Sequence, residues 1–532
     1  MCFRAVSRVV IKCAQRCVTD VPTDRSRSTQ MNRRSYLSLA GAAALGVASF
    51  SGTSAATHSL NDDFGTVVDI VDAGADPEGG ESITPVLREV ADDDTLVKFP
   101  PGRYYMDEQF RFTGFENFGL ASNGATIVPA SYDEFDGPQY RLFRLGVSYD
   151  PGVDLHVENF TIDQTAADTG IRAFHVEVED GLVVRDVDVV GEHDSGTWGP
   201  GLFNITSASG SGLVENFRAP DGGTYSIRAP GDLRWGPTGI IVDVNHRGTI
   251  EFRDCELGGF PDNGLYVSDD DGQVLVRGGE YRNSRAASIR LAGQGSSVRG
   301  ATVVVDRNRE YDDTQRGIRL ENGSGLSVFD TTIRLDAANG AAISVQNSAE
   351  SAWLSGLSVS VDGDRPNHGV VVSPEAGETV LLRSDVEQRT PGGYGLWTKA
   401  GTNSDRVVAE YCTFTGDVGD DTFRAAIRAD RDDTQIRAVG IDQISTRYRH
   451  GIELTGDDCF LYAGRYRSGG YPVVNVGDDT WMEELTAGST GGREAVQLYD
   501  ESSGVTIKES VLENGIENLG SSGLRMYLNQ YP

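Results

Sequence analysis

From about Leu155 onward the chain keeps returning to a short phrase in which apolar and polar positions alternate. It reads VENFTID at 157, VRDVDVV at 184, VENFRAP at 214, FRDCELG at 252, VRGGEYR at 276, VRGATVV at 298 and VFDTTIR at 328. It continues as LSGLSVS at 354, LRSDVEQ at 382, VAEYCTF at 408, IRAVGID at 436, LYAGRYR at 461 and IKESVLE at 507, with a weaker copy, MEELTAG, at 482. Alternation of this kind gives strands with one buried face. Fourteen phrases recur with a mean period of about 27 residues, in the range where a repeat means a solenoid. A second phrase follows the first at a fairly constant lag: GIRAF at 170, GLFNI at 201, GIIVD at 239, GLYVS at 264, GIRLE at 317, GVVVS at 369, GLWTK at 395 and GIELT at 451. Its leading glycine suits a tight corner, and nothing in the region recurs at helical spacing. The pattern predicts an all-β fold, a right-handed single-stranded parallel β-helix of about 13 to 14 coils.

The repeat also sorts inward from outward positions. Ile162, Val184, Ile240, Leu265, Leu320, Val345, Leu396 and Leu454 are expected on internal ladders. Asn159, Asp186, Asn216, Asp254 and Asp330 share one offset in the first phrase, where a stacked Asn or Asp satisfies the backbone of a bend; these are read as structural. Ahead of the repeat, VDAGADPEGGESITPVLREVADDDTLVKFPPGRYYM carries a helix signal, with Ser82 as N-cap, Pro85 early, and Val86, Leu87 and Val90 on one side. That segment, its Phe-Pro-Pro-Gly phrase, and phrases such as V-E-N-F-T-I and G-I-R-L together resemble the pectate lyase superfamily of pectin lyase-like β-helix proteins. The resemblance is architectural and covers most of the chain beyond residue 56. It implies that the short helix closes the open N-terminal edge of the solenoid, an edge that would otherwise pair with another chain.

Consecutive coils stack at about 4.8 Å, so residues at one offset form a stripe along the solenoid. The outward position of the second strand takes Tyr266, Arg290, Arg319, Ser344, Val371, Trp397, Arg428 and Glu453, and the next outward position adds Asp243, Glu321, Lys399 and Asp430. A face mixing aromatic, cationic and carboxylate groups suits a linear, acidic polysaccharide: Tyr266 and Trp397 to stack on sugar rings, and Arg290, Arg319 and Arg428 to grip uronate carboxylates. Arg290 and Arg319 sit on adjacent coils and need an anion beside them, either from the ligand or from Asp312, Asp313 or Glu321. Two reactions fit. β-Elimination requires a base for the C5 proton, for which Lys399, Tyr394, His368 and His450 are the candidates. Hydrolysis requires two carboxylates across the scissile bond, for which Asp430 and Glu453 on neighbouring coils are nearest.

Two other groups are weighed against this stripe. Gly456-Asp457-Asp458-Cys459 resembles the GDDC of polygalacturonases, but the accompanying NTD, GHG and RIK phrases are absent and it falls in the turn after GIELT, so it reads as structural. His193, Trp198, Asp232, Arg234, Trp235 and His246 flank the longest interval between phrases, 214 to 252. There GGTYSIRAPGDLRWGPTG forms an inserted loop that either lines a site or packs locally.

Composition changes the picture in three ways. The net charge of the 532 residues is -32, and only four of the 47 basic residues are lysines (Lys12, Lys98, Lys399, Lys508). Such a surface repels phosphate backbones, which excludes nucleic acid as a partner, and it resembles the surfaces of proteins from salt-loving archaea. Asp92-Asp93-Asp94 and Asp269-Asp270-Asp271 are either solvated surface or loops for Ca2+, the one cofactor the sequence suggests; no other metal site is expected. Second, MNRRSYLSLAGAAALGVASFSGTSAA at 31–56 looks like a twin-arginine export signal, with Arg33-Arg34 ahead of an apolar run too short to span a bilayer. Residues 1–30 then read as an over-extended start, 57–150 as an N-terminal cap with the first coils, and 151–532 as the repeats with a C-terminal cap. Loss of 1–56 leaves a charge of -38. Third, only Cys255, Cys412 and Cys459 remain beyond that segment, too few and too widely spaced for a disulfide framework or zinc site. The expectation is a secreted or cell-surface β-helix, exported folded through the twin-arginine translocase. It would bind and cleave an acidic polysaccharide as a lyase or hydrolase, or serve as a non-catalytic scaffold, adhesin or glycan-binding protein.

Overall fold

Each period of the sequence folds into one coil of three short strands. In the coil that begins at Leu326, a strand Leu326–Phe329 bends at Asp330 into Thr332–Leu335, and after a corner the chain forms Ala341–Val345. Alternation decides which side faces in: in Ser351–Ser355, Ala352 and Leu354 are buried while Trp353 between them is exposed. The first two strands of a coil join a 30-stranded sheet and the third joins a 16-stranded sheet, and the strand pairings are parallel, with a register shift where Glu116–Pro129 meets Val153–Asp163. These observations come from a computed structural model that describes residues 59–135, 140–231, 236–268, 271–390, 392–416, 424–443 and 448–532. The segments 1–30 and 31–56, together with Asp232, Arg234, Trp235, Asp269 and Asp270, lie outside the described residues.

The result is an all-β parallel solenoid with very little helix, consistent with the right-handed β-helix. It has about sixteen coils, where the phrases alone gave 13 to 14. All fourteen phrases form coils. The two additional coils lie ahead of them, where the strands Phe110–Phe112 and Arg141–Leu145 enter the 16-stranded sheet from a stretch without the repeating phrase. At about 4.8 Å per coil the sheet extends roughly 70 Å.

The core is a set of apolar columns. Ile289, Ile318, Ile343, Val370, Leu396, Ile427, Ile452 and Val473 stand above one another across consecutive coils, and each is almost wholly buried. Burying each such side chain contributes about 1.5–3 kcal/mol. The eight residues expected on internal ladders are all buried, distributed over several columns. Cys255, Cys412 and Cys459 are buried free thiols, which burial pushes up to about 12, 11 and 12 respectively.

The N-terminal helix forms over Thr84–Val90, with Ile83 rather than Ser82 at the N-cap. Ser82 is still extended, bridging to Tyr105, and the Ile83 amide donates to the Tyr105 carbonyl at 3.0 Å, so the chain turns helical one residue later than its sequence implies. Leu87 is buried against the core, and Arg88 donates to Glu108 at 2.6 Å beside the terminal strand Phe110–Phe112. At the other end of the solenoid the strand Arg525–Tyr527 is exposed at all three positions.

The bend between the first two strands has one conformation throughout. Asn159, Asp186, Asn216, Asp254 and Asp330 all adopt positive φ, between 49° and 64°, and Asn216 donates to Asp186 on the coil below at 2.8 Å. Toward the C-terminus the same backbone position is held by Arg383, Tyr411, Ala438, Ala463, Glu484 and Glu509, also at positive φ. These side chains lack the local hydrogen bonding that lets Asn and Asp tolerate this region. Two opposite outcomes follow for urea unfolding. Ala463→Gly relieves the strained bend and raises stability by about 0.5–1 kcal/mol. Gly356→Val places a Cβ 2.6 Å from Asp330 Oδ1 at a φ of 68° and lowers it by about 2 kcal/mol.

Candidate functional site

The outward column of the 16-stranded sheet follows directly from the register. It runs Arg111, Arg144, His175, Leu202, Ile241, Tyr266, Arg290, Arg319, Ser344, Val371, Trp397, Arg428 and Glu453. The eight residues that sequence periodicity assigns to one stripe therefore do share a column. Glu321, Lys399 and Asp430 sit one outward position further on, each with its amide bonded to the preceding coil. Five coils, about 24 Å, separate Arg290 from Arg428, so the column carries two clusters of chemistry rather than one.

The first cluster lines an open cleft of about 480 Å³ between Arg172, His175, Trp198, Asp243, Tyr266 and Arg290. The Arg290 guanidinium lies over the Tyr266 ring at 4.4 Å, and Arg172 lies 5.7 Å from the Trp198 ring. Arg172 is fully buried at the start of its strand; Nε donates to the Gly199 carbonyl at 3.1 Å, while Nη2 has no hydrogen-bond partner. Arg141 pairs with Arg172 across the sheet and donates to His175 Nδ1 at 2.9 Å. Burial and neighbouring guanidiniums push Arg141 down to about 10 and Arg172 to about 9. A guanidinium keeps its proton, so these shifts express the cost of crowding buried cations. Carboxylates meet them only in part. Glu177 accepts from Asn204 at 3.2 Å and from Asn245 at 2.7 Å, Asp243 accepts from Asn204 at 2.7 Å, and Asp262 accepts from Thr238 at 2.8 Å.

Along the column from this cleft, Glu321 supplies the anion that Arg290 and Arg319 require: it forms an ion pair with Arg319 and lies 3.9 Å from Arg290. Asp312 is instead engaged by Arg309 and Tyr225, and Asp313 by Arg285 at 3.0 Å.

The second cluster gathers most of the remaining candidates. Asp430 accepts from Trp397 Nε1 at 2.8 Å, Arg428 Nε at 2.7 Å and Thr455 Oγ1 at 2.5 Å. Arg428 also donates to Glu453 at 3.1 Å. Burial, with Asp430 nearby, raises the Glu453 carboxyl above its ordinary value although Arg428 opposes the shift. Lys399 Nζ sits 4.5 Å from the Trp397 ring. His368 stacks on Tyr394 at 5.6 Å, and the Tyr394 amide donates to its Nδ1 at 3.1 Å; His450 accepts at Nδ1 from the Tyr471 amide at 3.1 Å. Both rings therefore carry their proton on Nε2, and burial holds both down to about 4.

Other candidates resolve as structure. His193 is buried against Thr197, and His246 accepts from the Ile205 amide at 3.1 Å; of the described members of that group, Trp198 lines the cleft. Asp432, Asp457 and Asp478 each accept the backbone amide of a corner residue on the next coil, at 2.9, 2.8 and 2.6 Å, so the Gly456-Asp457-Asp458-Cys459 turn is one rung of a corner ladder. Asp93 and Asp94 accept from the Glu116 amide and the Asn117 side chain, and Asp271 pairs with Arg247 at 2.8 Å. Among the described residues, Glu483, Glu484 and Glu509 bring carboxylate oxygens within 4.8 Å of one another, and Lys508 supplies the cation, 2.6 Å from Glu483 and 3.3 Å from Glu509.

Sequence reasoning missed Arg141, Arg172, His175 and Asp262. Aligning GIRAF on Gly170 puts Arg172 at the outward offset, whereas pairing with the next coil puts His175 there, three residues on. The loop after Asp163 enters its strand late, and a phrase aligned on its glycine is shifted accordingly.

No family model matches the sequence, and no curated protein matches it. Among solved structures, the chain is similar to the catalytic unit of a thermostable GH87 alpha-1,3-glucanase from Streptomyces thermodiastaticus (11% identity, 90% of this chain and 70% of that one, TM-score 0.31). It is similar also to the A-module of the mannuronan C-5 epimerase AlgE4 from Azotobacter vinelandii (10%, 87% and 97%, 0.29) and to the Streptococcus pneumoniae surface adhesin PfbA (11%, 87% and 93%, 0.28). At this identity and superposition none of them assigns a function.

The buried histidines set a pH dependence. A histidine held at about 4 in the folded state and near 6.5 when unfolded contributes its stability in full above pH 6.5. The folded state loses that contribution as pH falls toward 4, by up to about 1.4 kcal/mol per pH unit for each ring. Urea midpoints measured from pH 7.5 to 4.5 fall accordingly, and His450→Gln flattens the decline.

Proposed function

We propose that the protein is an exported β-helix that binds an acidic polysaccharide along the outer face of the 16-stranded sheet and hydrolyses it there. The observation that carries this reading is the arginine-rich cleft: in a chain of net charge -32, Arg172 and Arg290 line one open cleft, with Arg141 paired beside Arg172 on the neighbouring coil. A uronate carboxylate fits that cationic lining, since it accepts two parallel bonds from a guanidinium. Tyr266 and Trp198 flank the cleft with ring faces suited to the C–H faces of a sugar. A linear chain laid along the column reaches the second cluster about 24 Å away.

Hydrolysis is favoured over elimination by the state of the two candidate histidines and of Glu453. His368 and His450 have Nδ1 occupied by backbone amides and Nε2 protonated, which leaves no lone pair for a C5 proton. Glu453, with its raised carboxyl beside Asp430, supports the opposite role. Glu453 gives its proton to the glycosidic oxygen as the C–O bond breaks, and water adds to the anomeric carbon as its proton passes to Asp430. An extracellular address rests on Arg33-Arg34 and the apolar run after it.

Protein lacking residues 1–56, incubated in high salt with a panel of uronate polymers, is expected to bind at least one and release reducing ends without unsaturated products. Arg172→Gln and Arg290→Gln each weaken binding about tenfold or more. Glu453→Gln keeps binding and loses cleavage, and wild-type cleavage declines as pH rises through the raised Glu453 carboxyl. Binding without any product assigns the face to attachment, as in a scaffold or adhesin; absence of binding across the panel overturns the proposal.

A further inference from the structure

A second surface, on the 30-stranded sheet and apart from the column above, carries exposed aromatic rings that the proposed chemistry does not use. Phe460 and Trp481 pair directly on adjacent coils. Tyr462 follows Phe460 on the same strand, and the two rings stack with centroids 6.1 Å apart and planes within 13° of parallel. Tyr411 is 57% exposed, Trp481 39% and Tyr462 37%, a concentration of apolar area that a water-facing sheet does not need. Between Tyr411 and Tyr462 the bend position is Ala438, whose methyl leaves a trough of about 330 Å³, the scale of a small-ligand site.

We infer that this trough and its rings form a binding site for a neutral glycan, independent of the acidic-polysaccharide face. Exposed rings present π-faces to the axial C–H groups of a pyranose, and the carboxylates at the rim accept its hydroxyls. Glu410 and Glu483 border the trough, and Glu483 already accepts from Trp481 Nε1 at 3.0 Å. The sign of the rim selects against a charged chain: Glu410, Glu483, Glu484 and Glu509 outnumber Arg437 and Lys508, so an anionic polymer is repelled here while the arginine cleft attracts it. The shape selects against a protein, because a stable interface needs about 800 Å² on each partner around an apolar core, and this band is three residue columns wide with Glu410, Arg437 and Glu483 set among its rings. Phe460 and Trp481 on adjacent coils, with Tyr411 two coils before Phe460, are spaced along the solenoid axis at multiples of about 4.8 Å, which suits a linear chain lying lengthwise.

Affinity electrophoresis through gels containing hydroxyethylcellulose, galactomannan or arabinoxylan tests this. Wild-type protein is expected to be retarded by at least one of these neutral polymers. Tyr462→Ala, Trp481→Ala and Tyr411→Ala, all at exposed positions, each weaken that retardation about tenfold, with melting curves establishing that the variants fold. Trp353→Ala, at an exposed ring outside the trough, two coils before Tyr411 and four before Phe460, and Arg172→Gln leave it unchanged. The site is overturned if no neutral polymer retards the protein, or if all three platform variants migrate as wild type. Loss of retardation in Arg172→Gln overturns it too, since the neutral polymer would then occupy the cleft of the sheet opposite in chemistry.

Discussion

Every strand here is held by parallel backbone hydrogen bonds to the strand one coil before and one coil after it, and that in-register stacking governs the rest. A slip of one residue would turn each inward column outward, so the apolar columns and the ladder of amides enforce each other. The corners add their own registration. Asp432, Asp457 and Asp478 each reach to the amide of the following coil, and the positive-φ bend recurs at one position along the solenoid. Function inherits the same constraint: a side chain acquires neighbours one coil away, whatever its distance in sequence.

That constraint also organises the charge. On the 30-stranded sheet, Arg185, Glu215, Arg253, Glu251 and Arg277 form a connected series of ion pairs at 2.6–3.2 Å over four coils, with Arg253 and Glu251 on one strand. Single surface pairs of this kind contribute little, but a connected series keeps a highly acidic chain from repelling itself locally. The arginines of the cleft differ in kind. They are more deeply buried and only partly compensated, and they stand out against a surface where most guanidiniums have a carboxylate within reach.

The coil repeat, the inward ladders, the bend residues and the outward stripe from Tyr266 to Glu453 were all legible in the sequence, because each depends only on offset within a phrase. What periodicity does not encode is the length of the corner loops. The two coils before residue 150 lack the phrase, and the late entry of the strand at Arg172 displaces the glycine that marks other strands. Arg141, Arg172 and His175 were hidden for that reason. The aromatic platform escaped for another: Phe460 and Trp481 stand one residue ahead of the phrases at 461 and 482, and Tyr462 is an outward residue of a phrase whose repeating signal lies in its inward and bend positions. Which anion serves Arg290 and Arg319 also needed coordinates, since Asp312, Asp313 and Glu321 all lie within seven residues of Arg319 and Glu321 is the one that pairs with both arginines.

Because each coil meets only its two neighbours, the solenoid behaves as a ruler with interchangeable divisions. Duplicating one coil in the middle of the stack would lengthen the groove by about 4.8 Å and leave every existing contact but one interface intact. Chains of this architecture can therefore change the number of ligand units they span without redesigning the residues that grip them. The separation of the arginine cleft from the Asp430 and Glu453 cluster becomes a countable quantity, five divisions, that insertion or deletion of whole repeats alters in discrete steps.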